Sequence, residues 1–368
     1  MKKRFLCILL ALSLLACAFG ALAEETAAED AVAADFVPDG TVIKVDPKLG
    51  APDKVYKDNP EIVGESPLTG LPCTEPYTPI VLPLDNSPEA QPLWGIADAS
   101  IIFQVPLGIY GSTRLVALYS DAYPEQAGGV RSGRMTMLPL ARTFHAVFVY
   151  AGVPPIGSGN VSVSYYLTQW SFRKPTRHYD LMGKRFRERV DFIKKPFNLS
   201  AHVKELHDHL TGRDMTFEVR PFLFADEPLT RGEEAATVSL QFQSTKNKDH
   251  YSQNSACTFT WTDAGYTRTS VSGEMTDRNT GEALTFANVI IMRVPVEWQR
   301  DYPYYEDHMK GTGQADIFQN GRYIRGTWFH ASRTDRLIFF DEEGKELTFQ
   351  RGKTFMVLGD EHIIAYYK

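Results

Sequence analysis

A dense series of turn signals in the last third of the chain constrains its fold more than any other feature. Asn320-Gly321 separates the apolar runs Ala315–Phe318 and Tyr323–Phe329, and this dipeptide is a strong signal of a two-residue hairpin. Asp263–Gly265 and Asp341–Gly344 separate further short runs of the same kind. Turns spaced this closely predict a mainly antiparallel β domain over residues 233–365.

The preceding part, residues 61–225, has a different pattern. Four short aliphatic runs flanked by Gly, Pro or Asp predict buried strands: Ile80–Leu84, Ile101–Val105, Arg114–Tyr119 and Ala146–Tyr150. Met135–Phe144 and Ala201–Leu210 are predicted helices, with Ser200 at the N-cap of the second. The pattern predicts an N-terminal α/β-type domain and an α+β chain overall, with the boundary near residues 222–236.

The first 23 residues have the three parts of a secretion signal. Lys2-Lys3-Arg4 is a positive region, Phe5–Cys17 is an apolar run too short for a good membrane span, and Ala21–Ala23 supplies small residues before a cleavage site. The chain is therefore predicted to be exported and extracytoplasmic.

Two mature forms are compatible with this signal. Cleavage after Ala23 would release the protein, whereas Leu14–Cys17 resembles a lipobox, which would place a lipid on Cys17 and hold the protein at the membrane. Residues 24–60 are acidic and contain few large apolar side chains. In either form they are predicted to act as a flexible tether.

The charge of the chain narrows the range of partners. The formal net charge is −6, and it falls to −9 without Lys2, Lys3 and Arg4. An acidic surface repels nucleic acid and anionic lipid headgroups. The expected partner is a cell-wall component or an envelope protein, with membrane contact only through the possible lipid anchor.

The cysteines give little evidence for a disulfide. Cys7 and Cys17 lie in the signal, which leaves Cys73 and Cys257. An extracytoplasmic location permits a disulfide between them, and two buried or free thiols fit the sequence equally well. No paired cysteine spacing typical of zinc is present, and neither a metal nor a cofactor is predicted.

A set of short motifs occurs in a defined order from residue 66 onward. In the first half these are Ser66–Gly70, Asp85-Asn86, Pro88–Ala90, Ala97-Asp98, Thr113-Arg114, Val130–Arg134 and Pro196–Leu199, and in the second half Gly326–Trp328 and Gly352–Thr354. This set resembles the YerB-like bacterial lipoprotein family, which is built from an N-terminal and a C-terminal domain of unknown function. The resemblance implies an envelope location and a two-domain architecture, and it implies no reaction. Gln104 and Phe197 depart from the family, which more often has an acidic residue and a histidine there.

A polar set in the first half is the best candidate for a binding site. Asp85 and Asn86 end a predicted strand, where α/β proteins bind ligands, and arginine forks with a helix N-terminus suit carboxylates and phosphates. The sequence predicts a pocket for an anionic group, and the alternative is that the arginines pair internally with Asp85 and Asp98. The candidate residues are Asp85, Asn86, Gln104, Arg114, Arg131, Ser132, Arg134 and Asn198.

No catalytic motif supports a specific reaction. Ser171–Lys174 has the Ser-x-x-Lys spacing of penicillin-binding enzymes, but Pro175 disfavours the helix which that chemistry requires. Gly157–Gly159 lacks the outer glycines of a hydrolase elbow. These patterns are interpreted as coincidences, and no catalytic residue is predicted.

Two other clusters have both a structural and a functional interpretation. His202, His207 and His209 share a predicted helix without the usual spacing of metal ligands, which favours a solvated face. Tyr302–Tyr305 is aromatic, and such a run either stacks on sugars and partners or fills a core.

Two functions from different classes remain open. The first is a non-catalytic binding or adaptor protein linked to the cell wall. The second is an enzyme that acts on cell-wall material through the first-half pocket. The absence of a convincing nucleophile–base pair or metal set in the sequence favours the first.

Overall fold

The computed structural model describes residues 36–51, 60–156 and 159–368, and these residues are mostly in β-strands. The strands are β1 Thr41–Val42, β2 Ile80–Leu84, β3 Ile101–Pro106, β4 Thr113–Tyr119, β5 Ala127–Gly128, β6 Val147–Tyr150, β7 His178–Asp180, β8 Arg187–Arg189, β9 Leu199–Ala201, β10 Leu223–Ala225, β11 Glu233–Glu234, β12 Thr237–Phe242, β13 Cys257–Thr262, β14 Gly265–Ser270, β15 Gly273–Glu274, β16 Thr285–Phe286, β17 Asn288–Arg293, β18 Val296–Gln299, β19 Tyr302–Tyr305, β20 Gly311–Gln319, β21 Arg322–His330, β22 Ile338–Phe340, β23 Thr348–Gln350, β24 Thr354–Gly359 and β25 Ile363–Tyr367. The helices are α1 Leu138–Thr143, α2 Val163–Gln169 and α3 Val203–Thr211, with 3-10 turns at Pro88–Ala90 and Glu306–Met309.

A central sheet contains strands from both halves of the chain. Its order is β11-β21-β20-β17-β24-β3-β4-β2-β6-β7, and β22 pairs with β21. β24 pairs in parallel with β3, with Thr354 opposite Ile101. The sheet therefore runs through both predicted domains, and residues 37–368 form one unit.

Both faces of the central sheet are buried, which explains why its strands are continuous apolar runs. Ile102 and Phe355 pack on one face, where a second sheet of order β1-β25-β12-β13-β14-β15, with β16 on β14, covers them. Phe259 of this second sheet contacts Phe355 at 4.9 Å between ring centroids. Phe103 and Met356 lie on the opposite face, which helix α1 and its following turn cover.

Both predicted helices are present in the first half, as α1 and α3, but the prediction of an α/β-type domain is wrong. Of the described helices, α1 has six residues and α3 has nine. β2 pairs with β4, and β4 with β3, in antiparallel fashion, and antiparallel neighbours need no helical crossover. The first half is therefore mainly β, as is the second.

The hairpin signals are confirmed by the strand pairing. β20 and β21 pair along their whole length around Asn320-Gly321, where Gly321 has a φ of 67°. β13 and β14 pair around Asp263–Gly265. Ser200 is not an N-cap, because it lies in β9 and its hydroxyl accepts a hydrogen bond from Trp94 at 2.9 Å.

The described part of the predicted tether packs against the fold. β1 pairs with β25, the Ile43 side chain is buried, and the Asp46 amide donates to the Gln314 side chain at 2.8 Å. The charge and composition of the segment did not indicate these contacts, because one buried isoleucine and backbone pairing are enough to hold it. The signal, Cys17 and residues 24–35 and 52–59 lie outside the described residues.

The helices of the described residues are all too short or too polar to cross a bilayer.

Candidate functional site

Two charged members of the predicted polar set contact each other directly. Asp85 and Arg131 form a pair, with Arg131 Nε 2.7 Å from Asp85 Oδ2. The other Asp85 oxygen accepts a hydrogen bond from the Ser87 amide at 2.8 Å. The Arg131 guanidinium also lies over the ring of Phe197, 5.8 Å from its centroid. This pair is the internal arrangement that the sequence left open as the alternative to a pocket.

Asn198 and Arg114 lie on other segments of the first half. Asn198 is buried, accepts a hydrogen bond from Arg189 at 2.7 Å and donates to the Val190 carbonyl at 3.0 Å. Arg114 follows Thr113 on β4, so the two side chains point to opposite faces of the central sheet.

Ser132 and Arg134 follow Arg131 in the loop before α1. Ser132 is half-buried. Arg134 is buried, and its Nη1 donates to the Gly133 carbonyl at 3.2 Å.

A buried hydrogen-bond network unites Asn86 and Gln104. Both side-chain amides donate to the hydroxyl oxygen of Thr113, each at 2.9 Å. Gln104 Nε2 also donates to the Ser255 carbonyl at 2.8 Å. The network therefore reaches from the end of β2, through β3 and β4, to the second half of the chain.

Arg268 of β14 completes this network. Its Nη2 donates to Gln104 Oε1 at 3.3 Å, and its guanidinium lies 5.5 Å from the centroid of the Phe355 ring. Arg268 is 3% exposed, and its Nε makes no hydrogen bond with any residue that the structure describes. None of the described carboxylates forms an ion pair with it. A buried guanidinium in this state is a cation without a counter-charge.

A cavity of about 170 Å³ borders Arg268. Its walls are the Pro88–Pro92 turn of the first half and strands β14 and β15 with the following residues. The polar side chains in these walls are Gln91, Arg268, Ser270, Ser272, Glu274 and Thr276. One ordered water needs only about 10–15 Å³, so the cavity can take a larger group.

Sequence reasoning missed Arg268, although a signal was present. On β14 the side chains alternate, and Tyr266 is fully buried. Arg268 follows two residues later and therefore points to the same inner face. A charged residue at an inward position of an alternating strand is the pattern that would have identified it.

The two cysteines do not form a disulfide. Cys73 is half-buried and Cys257 is buried, and both are free thiols. Burial raises the pKa of the Cys257 thiol, although nearby Arg268 acts in the opposite direction. Cys257 lies 3.8 Å from Gln104 Oε1, within the network. A thiol held neutral and buried in this way is a packing group and not a nucleophile.

The motifs interpreted as coincidences have no catalytic arrangement in the described residues. Helix α2 ends at Gln169, so Ser171 and Lys174 do not share a helix. His207 is buried and stacks on Tyr123 with ring centroids 3.9 Å apart, so the interpretation of the three histidines as a solvated face is wrong for this residue. The part of the chain that is described contains no group of potential metal ligands. Tyr304 and Tyr305 are buried, so this aromatic run contributes to the core. Residues 157–158 are outside the described ranges.

The fold and the network together define a class of protein. It is a mainly β protein in which one sheet joins two sequence halves, with a buried polar network and a cavity between them. Residues 68–216 match the family model described as the N-terminal domain of a protein of unknown function, DUF3048, and residues 247–356 match the C-terminal domain of the same family.

These matches confirm the resemblance seen in the sequence: the chain belongs to the YerB-like family built from the two DUF3048 domains. It is 26% identical over 307 residues to the Bacillus subtilis (strain 168) protein named "Putative lipoprotein YerB", covering 79% of this chain and 85% of that protein. A crystal structure of YerB from Bacillus subtilis superimposes with a TM-score of 0.66 at 22% identity, covering 82% of this chain and 99% of that one. This structural likeness establishes the shared fold.

Proposed function

We propose that this chain is an exported cell-envelope protein that binds an anionic group of a cell-wall component in the cavity beside Arg268, without catalysing a reaction. The protein is either held at the membrane by a lipid on Cys17 or released by cleavage after Ala23. The lipoprotein name of its Bacillus subtilis relative supports the envelope location.

One observation carries the binding proposal. Arg268 lines the cavity, its buried Nε has no hydrogen-bond partner among the described residues, and no described carboxylate balances its charge. Burying an uncompensated cation is unfavourable, and a guanidinium fork suits carboxylates and phosphates. An anion in the cavity would provide the missing counter-charge.

The predicted residues Asn86 and Gln104 have a supporting role in this site. Both donate a buried hydrogen bond to Thr113, and Gln104 accepts a hydrogen bond from Arg268 and so positions it. Asp85 and Arg131 form an ion pair and are expected to hold the loop ahead of the Pro88–Ala90 turn. The anion site therefore lies between the two halves of the chain and not within the first half alone.

Thermal unfolding with and without sodium phosphate, at constant ionic strength, tests this site. A bound anion stabilises the folded state by linkage, by about 2.7 kcal/mol at 100 times its Kd. We expect phosphate to raise the Tm of the wild type and to leave the Tm of Arg268→Met unchanged. Without phosphate, Arg268→Met is expected to be at least as stable as the wild type, because it removes an unbalanced buried charge.

Arg300→Met, which removes an exposed arginine, is the matched control and should keep the phosphate response. Two results would contradict the proposal. The first is a wild type that gains no stability from phosphate or acetate. The second is an Arg268→Met variant that loses stability in buffer but retains the full response to phosphate, which would make Arg268 structural.

A further inference from the structure

A short basic segment stands out in a chain that is acidic overall. Residues 184–195 contain six lysines and arginines and two acidic residues, whereas the whole chain has a net charge of −6. We call this segment the basic surface. Its cations are Lys184, Arg185, Arg187, Arg189, Lys194 and Lys195.

The cations of the basic surface are available to a partner. Five of the six are exposed, and Arg187 is half-buried. Arg185 and Arg189 use neutral acceptors, His209 Nδ1 at 2.8 Å and Asn198 Oδ1 at 2.7 Å. Within the described ranges, none of the six has a carboxylate oxygen in ion-pair distance. Their charge is therefore not neutralised by the protein.

Further positive charge lies beside this segment. Arg213, which follows helix α3, places its Nη1 3.5 Å from His209 Nε2, on the ring that Arg185 also contacts. The α3 region thus extends the positive surface beyond the segment itself.

Two large apolar side chains are exposed on and next to the basic surface. Phe192 is 48% exposed, and Met182 is 57% exposed. The Phe192 ring meets the Trp94 ring edge-on at 5.0 Å, and the Arg278 guanidinium lies 5.0 Å from its centroid. These contacts hold the ring in place while about half of it remains accessible.

We propose that the basic surface docks on anionic lipid headgroups, with Phe192 and Met182 entering the boundary between headgroups and acyl chains. The inference rests on the envelope location proposed above, which places the protein beside a membrane. Cations next to exposed apolar side chains are the pattern of interfacial binding. A soluble polyanion would use the cations and leave the two apolar side chains exposed to water.

The acidic charge of the whole chain does not oppose this docking. Charges in solution are screened over about 8 Å at physiological ionic strength, so a lipid surface senses mainly the residues that face it. The expectation from net charge, that anionic lipid is a poor partner, thus does not apply to this local surface.

Vesicle sedimentation tests the proposal with the chain that begins at Glu24, one of the two mature forms expected from the sequence. Vesicles of phosphatidylglycerol with phosphatidylcholine should bind the protein, and pure phosphatidylcholine vesicles should not. Each cation near an anionic surface raises the binding constant several-fold. The triple variant Lys184→Gln, Lys194→Gln, Lys195→Gln should therefore bind the vesicles on the order of 100-fold more weakly.

The matched control changes three other exposed lysines and the same amount of charge: Lys246→Gln, Lys248→Gln and Lys345→Gln. It should bind like the wild type, and Phe192→Ala should weaken binding without changing its salt dependence. Equal losses in both triple variants overturn the proposal, as does binding to polyphosphate in solution but not to the vesicles. Arg268→Met should bind vesicles normally, which separates this proposal from the cavity.

Discussion

At the scale of single residues, the chemistry of the cavity depends on the neutral amide of Gln104. Its Oε1 lies 3.3 Å from Arg268 Nη2, so it is a hydrogen-bond partner that carries no charge. A carboxylate in the same place would form a buried ion pair with Arg268 and neutralise it from within the protein. The identity of residue 104 therefore decides whether Arg268 needs an external anion.

This dependence makes Gln104→Glu an informative substitution. We expect the variant to lose most of the phosphate-dependent rise in Tm, because the new carboxylate competes with the anion for Arg268. Its affinity for phosphate, measured by calorimetry, should fall by at least 10-fold, which corresponds to about 1.4 kcal/mol. Gln241→Glu, at a second buried glutamine away from Arg268, is the control for the change in charge. Undiminished phosphate binding by Gln104→Glu would argue against the role of Arg268.

At the scale of secondary-structure elements, the segment before the first half is part of the fold. Strand β1 pairs with β25, and the Ile43 amide donates to the Ala365 carbonyl at 2.8 Å. The Ile43 side chain is 5% exposed, whereas that of Val42 is 47% exposed. Because Ile43 is buried and Val42 is exposed, substitutions at these two adjacent positions distinguish a docked strand from a flexible tether.

Ile43→Ala should lower the free energy of unfolding by about 2 kcal/mol, because it removes buried methyl groups and leaves a cavity. Val42→Ala should change it by less than about 0.5 kcal/mol, since the side chain is at the surface. Chemical denaturation of both variants measures this difference. Equal and negligible effects would mean that the segment does not dock.

The elements that the sequence predicted are those with local signals. Ile80–Leu84 and Ile101–Val105 are short aliphatic runs between turn residues, and both are buried strands. The Asn320-Gly321 turn was identified because its chemistry is specific to one type of hairpin. Ser200 was misassigned because a serine before an apolar run has the same pattern whether it caps a helix or ends a strand.

At the scale of the whole molecule, the pairing of β24 with β3 is what the sequence could not reveal. No local pattern specifies which distant strand becomes a neighbour, and register between such strands is set by packing. Because that pairing was not visible, the candidate site was placed within the first half. The structure joins Asn86 and Gln104 in one hydrogen-bond network, and the partner of Gln104 in it, Arg268, lies on β14 of the other half.

The net charge of the molecule differs in sign from the local charge at two places. The net charge of −6 describes the surface as a whole, and the basic surface at residues 184–195 is a local departure from it. The buried Arg268 is a second departure, in the interior. The basic surface and Arg268 are each proposed to bind an anionic group. They lie at separate places in the molecule, so different variants test them.

A crystal structure of the wild-type protein with selenate shows whether the cavity beside Arg268 binds an anion, since the anomalous signal of selenium locates the ion. We expect a selenate ion in the cavity, with an oxygen about 3 Å from a nitrogen of the Arg268 guanidinium, and no ion there in crystals of Arg268→Met. Selenate bound elsewhere on the wild-type protein, with the cavity beside Arg268 free of it, would mean that the cavity is not an anion site.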